Sequence, residues 1–147
     1  MEKITKELIK ELFKKYNTLY FDNELRLPRF TTYKGRRTYG VYSYKIDKKT
    51  KKLKNESFAI ANNVNWSEDS LRNIIVHEMI HCYIAQKNIK DNRDHGKVFK
   101  QMMNDYNRHY GLNITVKIDN KQLPFTDQKP RKSLIQKLIK YLKKIMS

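Results

Sequence analysis

Residues 65–86, NWSEDSLRNIIVHEMIHCYIAQ, decide how this chain folds. The stretch opens on a helix start: Ser67 is placed to cap, and Glu68 and Asp69 follow in the first turn, where a helix end is partly positive. Beyond them Leu71, Ile74, Ile75, Val76, Met79, Ile80, Cys82, Tyr83, Ile84 and Ala85 leave almost no polar face. A helix that is apolar nearly all round belongs in the middle of a domain, so the polar residues within it need a reason. They are His77, Glu78 and His81, spaced as HExxH. Imidazoles at i and i+4 stand one above the other on one helical face and can share one ion, and the intervening carboxylate can take a proton from bound water. Burying these groups without a partner is costly, and a metal ion removes that cost. The pattern points to a zinc-assisted hydrolytic site, one Zn2+ per chain, with His77 and His81 as ligands and Glu78 as general base.

Catalytic zinc commonly takes three protein ligands and leaves one position to water. A downstream glutamate is excluded, because no Glu follows Glu78, and a third histidine at the HExxHxxGxxH position is absent, since that position is Lys87. His95 and His109 remain. Fourteen residues apart, they lie about 21 Å from each other along a continuous helix, so one ion cannot take both. His95 is the choice: a short polar loop can return it over the site helix, and Asp91 or Asp94 can orient its ring. His109 then reads as a surface residue and Cys82 as core.

Outward from this helix the elements fall into place. Residues 5–20 carry apolar positions at helical spacing and predict an amphipathic first helix, ended near FDNEL, after which Leu27-Pro28 forces an extended exit. Residues 29–33, 40–46 and 57–61 are strand-like, with a Lys-rich hairpin connection between the last two. Another amphipathic helix runs from about Val98 to Tyr110 and stops at Gly111, and residues 113–118 are predicted to complete the sheet. The expected class is α+β: a small antiparallel sheet packed against three helices, the HExxH helix central.

After residue 120 the character changes. Pro124 and Pro130 bracket a linker, and Leu134, Leu138, Leu142 and Ile145 form an apolar stripe between lysines. Residues 128–147 hold seven Lys and Arg and no acid. The organisation predicted is a domain over residues 1–120, then a linker and basic amphipathic helix over 121–147, with the stripe docked on the core to avoid leaving large aliphatics in water; the alternative is an undocked segment that becomes helical only on an acidic surface or partner.

The 32 Lys and Arg against 15 Asp and Glu give a net charge of +17, which favours a polyanionic partner. Candidate phosphate contacts are Lys48, Lys49, Lys51, Lys52 and Lys54 in the hairpin, and Lys132, Lys137, Lys140, Lys143 and Lys144 in the tail. Lysines without clustered Arg or stacking aromatics read backbone more than base. A single cysteine precludes an internal disulfide framework, and neither a secretory signal nor a run long enough to span a membrane is visible. A cytoplasmic monomer without a membrane partner is the expectation.

The stretch HEMIHCYIAQKNIKDNRDHGKVF resembles the signature of the SprT-like zinc metallopeptidases, the family of the Spartan-type protease domain. There HEMIH is followed by a variable loop, then His-Gly and an aromatic residue; here these are His95, Gly96 and Phe99, the aromatic one position further on. YNTLYFDNELRLP, RRTYG and GLNITV resemble the family's first helix and exit, first sheet segment and the strand after the third helix, so the likeness covers roughly residues 6–118. It implies a zincin-like fold, zinc on His77, His81 and His95, Glu78 as base, and activity on proteins bound or cross-linked to DNA. Many members carry a Cys-rich zinc ribbon after this domain, which one cysteine cannot build; the basic tail is the alternative DNA contact. Tyr33, Tyr39, Tyr42 and Tyr44 are candidates for oxyanion stabilisation through their place in the sheet region. Two other readings stand beside this one: a DNA-binding module with structural zinc and no turnover, and a regulatory peptidase that cleaves a specific repressor.

Overall fold

A computed structural model describes residues 3–126 and 134–146. The described elements are α1 (Lys6–Tyr20), β1 (Arg29–Tyr33), β2 (Gly40–Ile46), β3 (Leu53–Ala61), α2 (Glu68–Gln86), α3 (Lys97–Tyr110) and α4 (Leu134–Met146). The class is α+β. Thr5 caps α1 by accepting from Leu8 N–H, and Ser67 and Ser70 form a reciprocal cap at the start of α2. Gly111 closes α3 in the left-handed region at φ 65°, which glycine adopts without a Cβ penalty.

The sheet differs from the antiparallel one expected. Its order is β1-β3-β2, with β1 parallel and β2 antiparallel to β3. Short connections suggest a meander, but β3 carries Phe58, Ile60 and Ala61, all fully buried, and the most apolar strand takes the centre. Residues 34–39 therefore cross the end of β3, a step of two strand spacings or about 10 Å, and leave β2 at an edge. β3 also starts earlier than expected, at Leu53, which shortens the hairpin to residues 47–52. Asp47 organises this turn by accepting from the N–H groups of Lys49 and Thr50, and its carboxylate lies 3.8 Å from Lys54 Nζ.

Residues 113–118 form no strand. Ile114 instead exchanges two hydrogen bonds with the Asn107 side chain on α3, at 2.8 and 2.9 Å. Backbone groups held by a side chain have no need of a ladder, and the carbonyl of Thr115 is left to face α2.

The core sits between the sheet and helices α1 and α2, where Phe13, Phe30 and Phe58 meet edge to face or tilted. Beyond residue 120 the chain keeps packing on the domain: Phe125 stacks on Tyr39 with centroids 4.6 Å apart and bridges to Val64. The docked tail is not what is found. On α4, Leu138, Leu142 and Ile145 are 56%, 46% and 60% exposed. Among the described residues no helix is long and apolar enough to cross a membrane.

Candidate metal centre

Buried α2 carries His77 and Glu78 into the interior and His81 to its margin, one turn on. The loop after α2 brings His95 back against them. His95 Nε2 lies 3.2 Å from both His77 Nε2 and His81 Nε2, and the three ligand atoms fall within 4.8 Å of one another. Two nitrogens bound to one tetrahedral zinc ion at ordinary bond lengths are about 3.3 Å apart, so the donor set fits a single small ion. His77 Nδ1 is 2.8 Å from the Thr115 carbonyl. A carbonyl only accepts, so Nδ1 carries the proton and the Nε2 lone pair points into the cluster.

The ring protonation agrees with a ligand role. Burial, reinforced by the neighbouring imidazole of His81, holds His77 down to about 4, and burial pushes His81 the same way. Both are neutral at ordinary pH. Phe99, fully buried on α3, underlies all three rings, with centroids 4.9, 4.4 and 4.8 Å from those of His77, His81 and His95.

His95 is fixed by the start of α3. Asp91 accepts from Phe99 N–H, and Asn92 accepts from Lys97 N–H, so loop side chains cap a helix whose own cap residue, Gly96, has none. A Cβ on Gly96 would fall on the side-chain oxygens of Asp91 and Asn92, which explains the glycine directly after the histidine. Of the two aspartates expected to orient His95, Asp91 is spent on this cap. Asp94 faces the rings, its oxygens 3.6 Å from His95 Nδ1 and 3.7 Å from His81 Nδ1. These distances are too long for hydrogen bonds.

Glu78 lies with Oε1 3.9 Å from His77 Nε2, while Oε2 accepts from Tyr42 N–H at 3.1 Å. Burial pushes its carboxyl up to about 8, the Tyr42 bond acting in the opposite direction. Gly40 permits this approach of β2 to α2, since a Cβ there would meet Glu78 Cγ at 3.0 Å. Tyr42 is held in turn through its hydroxyl, which donates to Glu56 at 2.6 Å; Gln86 and Arg26 reach the same carboxylate. The Thr115 carbonyl and the backbone of Tyr42 were not legible in the sequence, because the groups involved are main chain and belong to any residue type.

The other candidates lie away from the ring cluster or are otherwise engaged. His109 is exposed on the last turn of α3. Cys82 is fully buried, accepts from Gln86, and burial pushes its thiol up to about 12. Among the four tyrosines, the Tyr39 hydroxyl lies within hydrogen-bond reach of the Asn120 side chain and the Leu123 carbonyl, Tyr42 donates to Glu56, and Tyr33 pairs with Thr38. Tyr44 is exposed on the cleft wall. That cleft, about 1430 Å³, has His77, Glu78 and His81 in its floor. One end is apolar, lined by Tyr44, Ile46, Leu53, Ile84 and Ile89; the other runs along residues 113–123. Of the lysines, Lys48, Lys49, Lys51 and Lys52 sit in the connection between β2 and β3, past the apolar end, and Lys54 lies at the start of β3. Lys137, Lys140, Lys143 and Lys144 are exposed on α4, and Lys132 lies outside the described residues.

Two imidazoles and a buried carboxylate on α2, beneath the edge of the sheet, with His95 brought in by the following loop, make a site able to hold a metal ion, as a metallopeptidase-like domain requires. The chain belongs to the SprT-like family, whose sequence model matches residues 9–118. No curated protein and no solved structure matches it.

Proposed function

We propose that this chain is a zinc-dependent endopeptidase of zincin-like architecture that acts on proteins bound or cross-linked to DNA. The observation that carries this reading is the meeting of three Nε2 atoms and the Glu78 carboxylate on the floor of a long open cleft. His77, His81 and His95 would hold the ion, which when bound supplies Lewis-acid polarisation of a carbonyl and a water acidified toward neutrality.

The chain's own residues do the rest. Thr115 fixes the His77 ring and Phe99 limits the tilt of all three imidazoles. Glu78 accepts the proton of the attacking water at Oε1 and returns it to the departing amine, its Oε2 held by β2. Burial raises this carboxyl in the absence of an ion, and a bound cation beside it favours the ionised form that can accept a proton. Among the described residues β2 pairs with β3 alone, so its outer edge is open along the cleft. An extended substrate segment can add there through main-chain bonds, with affinity that depends little on sequence, and the apolar end favours a bulky apolar side chain a few residues from the cut.

The basic hairpin stands at that same end, where Lys48, Lys49, Lys51, Lys52 and Lys54 can hold phosphates while a bound protein enters the cleft. The tail lysines Lys132, Lys137, Lys140, Lys143 and Lys144 are further proposed phosphate contacts. A cytoplasmic monomer is consistent with one buried cysteine. The test is cleavage of a DNA-binding protein by wild type and Glu78→Gln, each with and without duplex and single-stranded DNA. Wild type should cleave faster with DNA, and Glu78→Gln should retain metal while losing at least about a hundredfold in rate. Equal cleavage by the two proteins would sink the assignment of Glu78, and indifference to DNA would sink the substrate class.

A further inference from the structure

α4 presents a two-faced surface of which the peptidase reading uses only the lysines and leaves the aliphatic face unexplained. At about 100° per residue, Ile135, Leu138, Ile139, Leu142 and Ile145 fall within one arc of about 120°, and Lys137, Lys140, Lys143 and Lys144 occupy an arc of similar width opposite. The five aliphatics are 46–71% exposed. α4 has no acidic residue.

This composition narrows the occupant. Nucleic acid satisfies the lysines but leaves the aliphatics in water. A second copy covers the aliphatics but sets two acid-free lysine helices side by side, and a pair of 13-residue helices, each about 20 Å long, is a small interface on which to overcome that repulsion. An anionic lipid surface satisfies both halves: the aliphatics sink to the acyl boundary while lysine ammonium groups stay at the phosphates. The helix is too short to span a bilayer, so it lies along the surface.

We propose that α4 is an interfacial helix that docks this chain on anionic phospholipid membranes through Ile135, Leu138, Ile139, Leu142 and Ile145. This replaces the expectation of no membrane partner, because what the sequence excludes is a span and not a helix lying in the interface. The proposal is independent of peptidase activity, since it uses no residue of the metal centre.

The test is co-sedimentation of the full chain with phosphatidylcholine vesicles, with and without phosphatidylglycerol. Two variants accompany it: Leu138→Ser/Leu142→Ser, which keeps every charge, and Lys137→Gln/Lys140→Gln/Lys143→Gln. Wild type should bind the anionic vesicles and not the neutral ones. The serine variant should bind at least about tenfold more weakly, as expected for two lost aliphatic insertions, and the glutamine variant should also weaken. Three results would each overturn the proposal: no binding by wild type; equal binding by the serine variant, which would assign attraction to overall charge; or lipid-free self-association that the serine substitutions abolish, which would assign the face to a second copy.

Discussion

α2 and α4 have opposite patterns and opposite fates. α2 is apolar on nearly every side, and its middle is buried together with two of its three polar site residues. α4 divides sharply into an aliphatic and a lysine face, yet its aliphatics are exposed. An all-round apolar helix has one solution, the centre of the domain, and its neighbours are then dictated by packing. A two-faced helix states only that something apolar covers half of it. The partner is left open, and in this chain the domain core is not that partner. The metal centre can therefore be read to the level of individual nitrogens, whereas the tail is legible only as a class of surface.

The sharpest way to break this contrast is through the ligands. His77→Ala, His81→Ala or His95→Ala should each lower metal affinity more than about a hundredfold, which isothermal titration of the chelated protein measures, because removal of a ligand exceeds the ten- to hundredfold typical of outer partners. His109→Ala should leave the affinity unchanged. Equal losses at His109 and none at His95 would mean that the convergence of three imidazoles is not the site.

A smaller effect is expected where loop geometry, not a ligand, is altered. Gly96→Ala forces Asp91 and Asn92 off the start of α3 and should weaken metal binding by about ten- to a hundredfold through displacement of His95. An unchanged affinity would show that His95 is placed without this cap.

The buried carboxylate offers a pH test. A carboxyl raised by folding contributes stability that is present below its unfolded pKa and lost as pH rises through the folded one, here from about 4.5 to about 8. His77 and His81 work in the other direction: their lowered values make the neutral rings stabilising above about 6.5, and this is lost as pH falls toward about 4. Between about 6.5 and about 8 only Glu78 of these groups changes. The melting temperature of chelated wild type should thus fall across that window, and Glu78→Gln should flatten the slope. A slope that survives the substitution would place its origin elsewhere.

The smallest effect belongs to the tail. Removal of residues 127–147 should change stability by no more than about 0.5 kcal/mol, the range for surface changes, with metal affinity untouched. A marked drop in melting temperature would show α4 docked after all and dissolve the contrast with α2. The same truncation should weaken DNA binding and make it less sensitive to salt, since it deletes seven positive charges.

The sequence by itself determined α2, its cap at Ser67, the placement of His77, Glu78 and His81 on it, and the choice of His95, because helical periodicity and metal chemistry are local or nearly so. It also located α1, β1, β2 and α3 closely. It did not determine the strand order, because pairing partners depend on which strand the core buries most, and β3 took the centre. Residues 113–118 have strand-like composition, but Asn107 captured their backbone and Thr115 was left to orient His77. The link from Glu78 through the Tyr42 backbone to Glu56 was likewise settled only by tertiary structure. Main-chain groups have no sequence signature, and only folding decides which of them face a site.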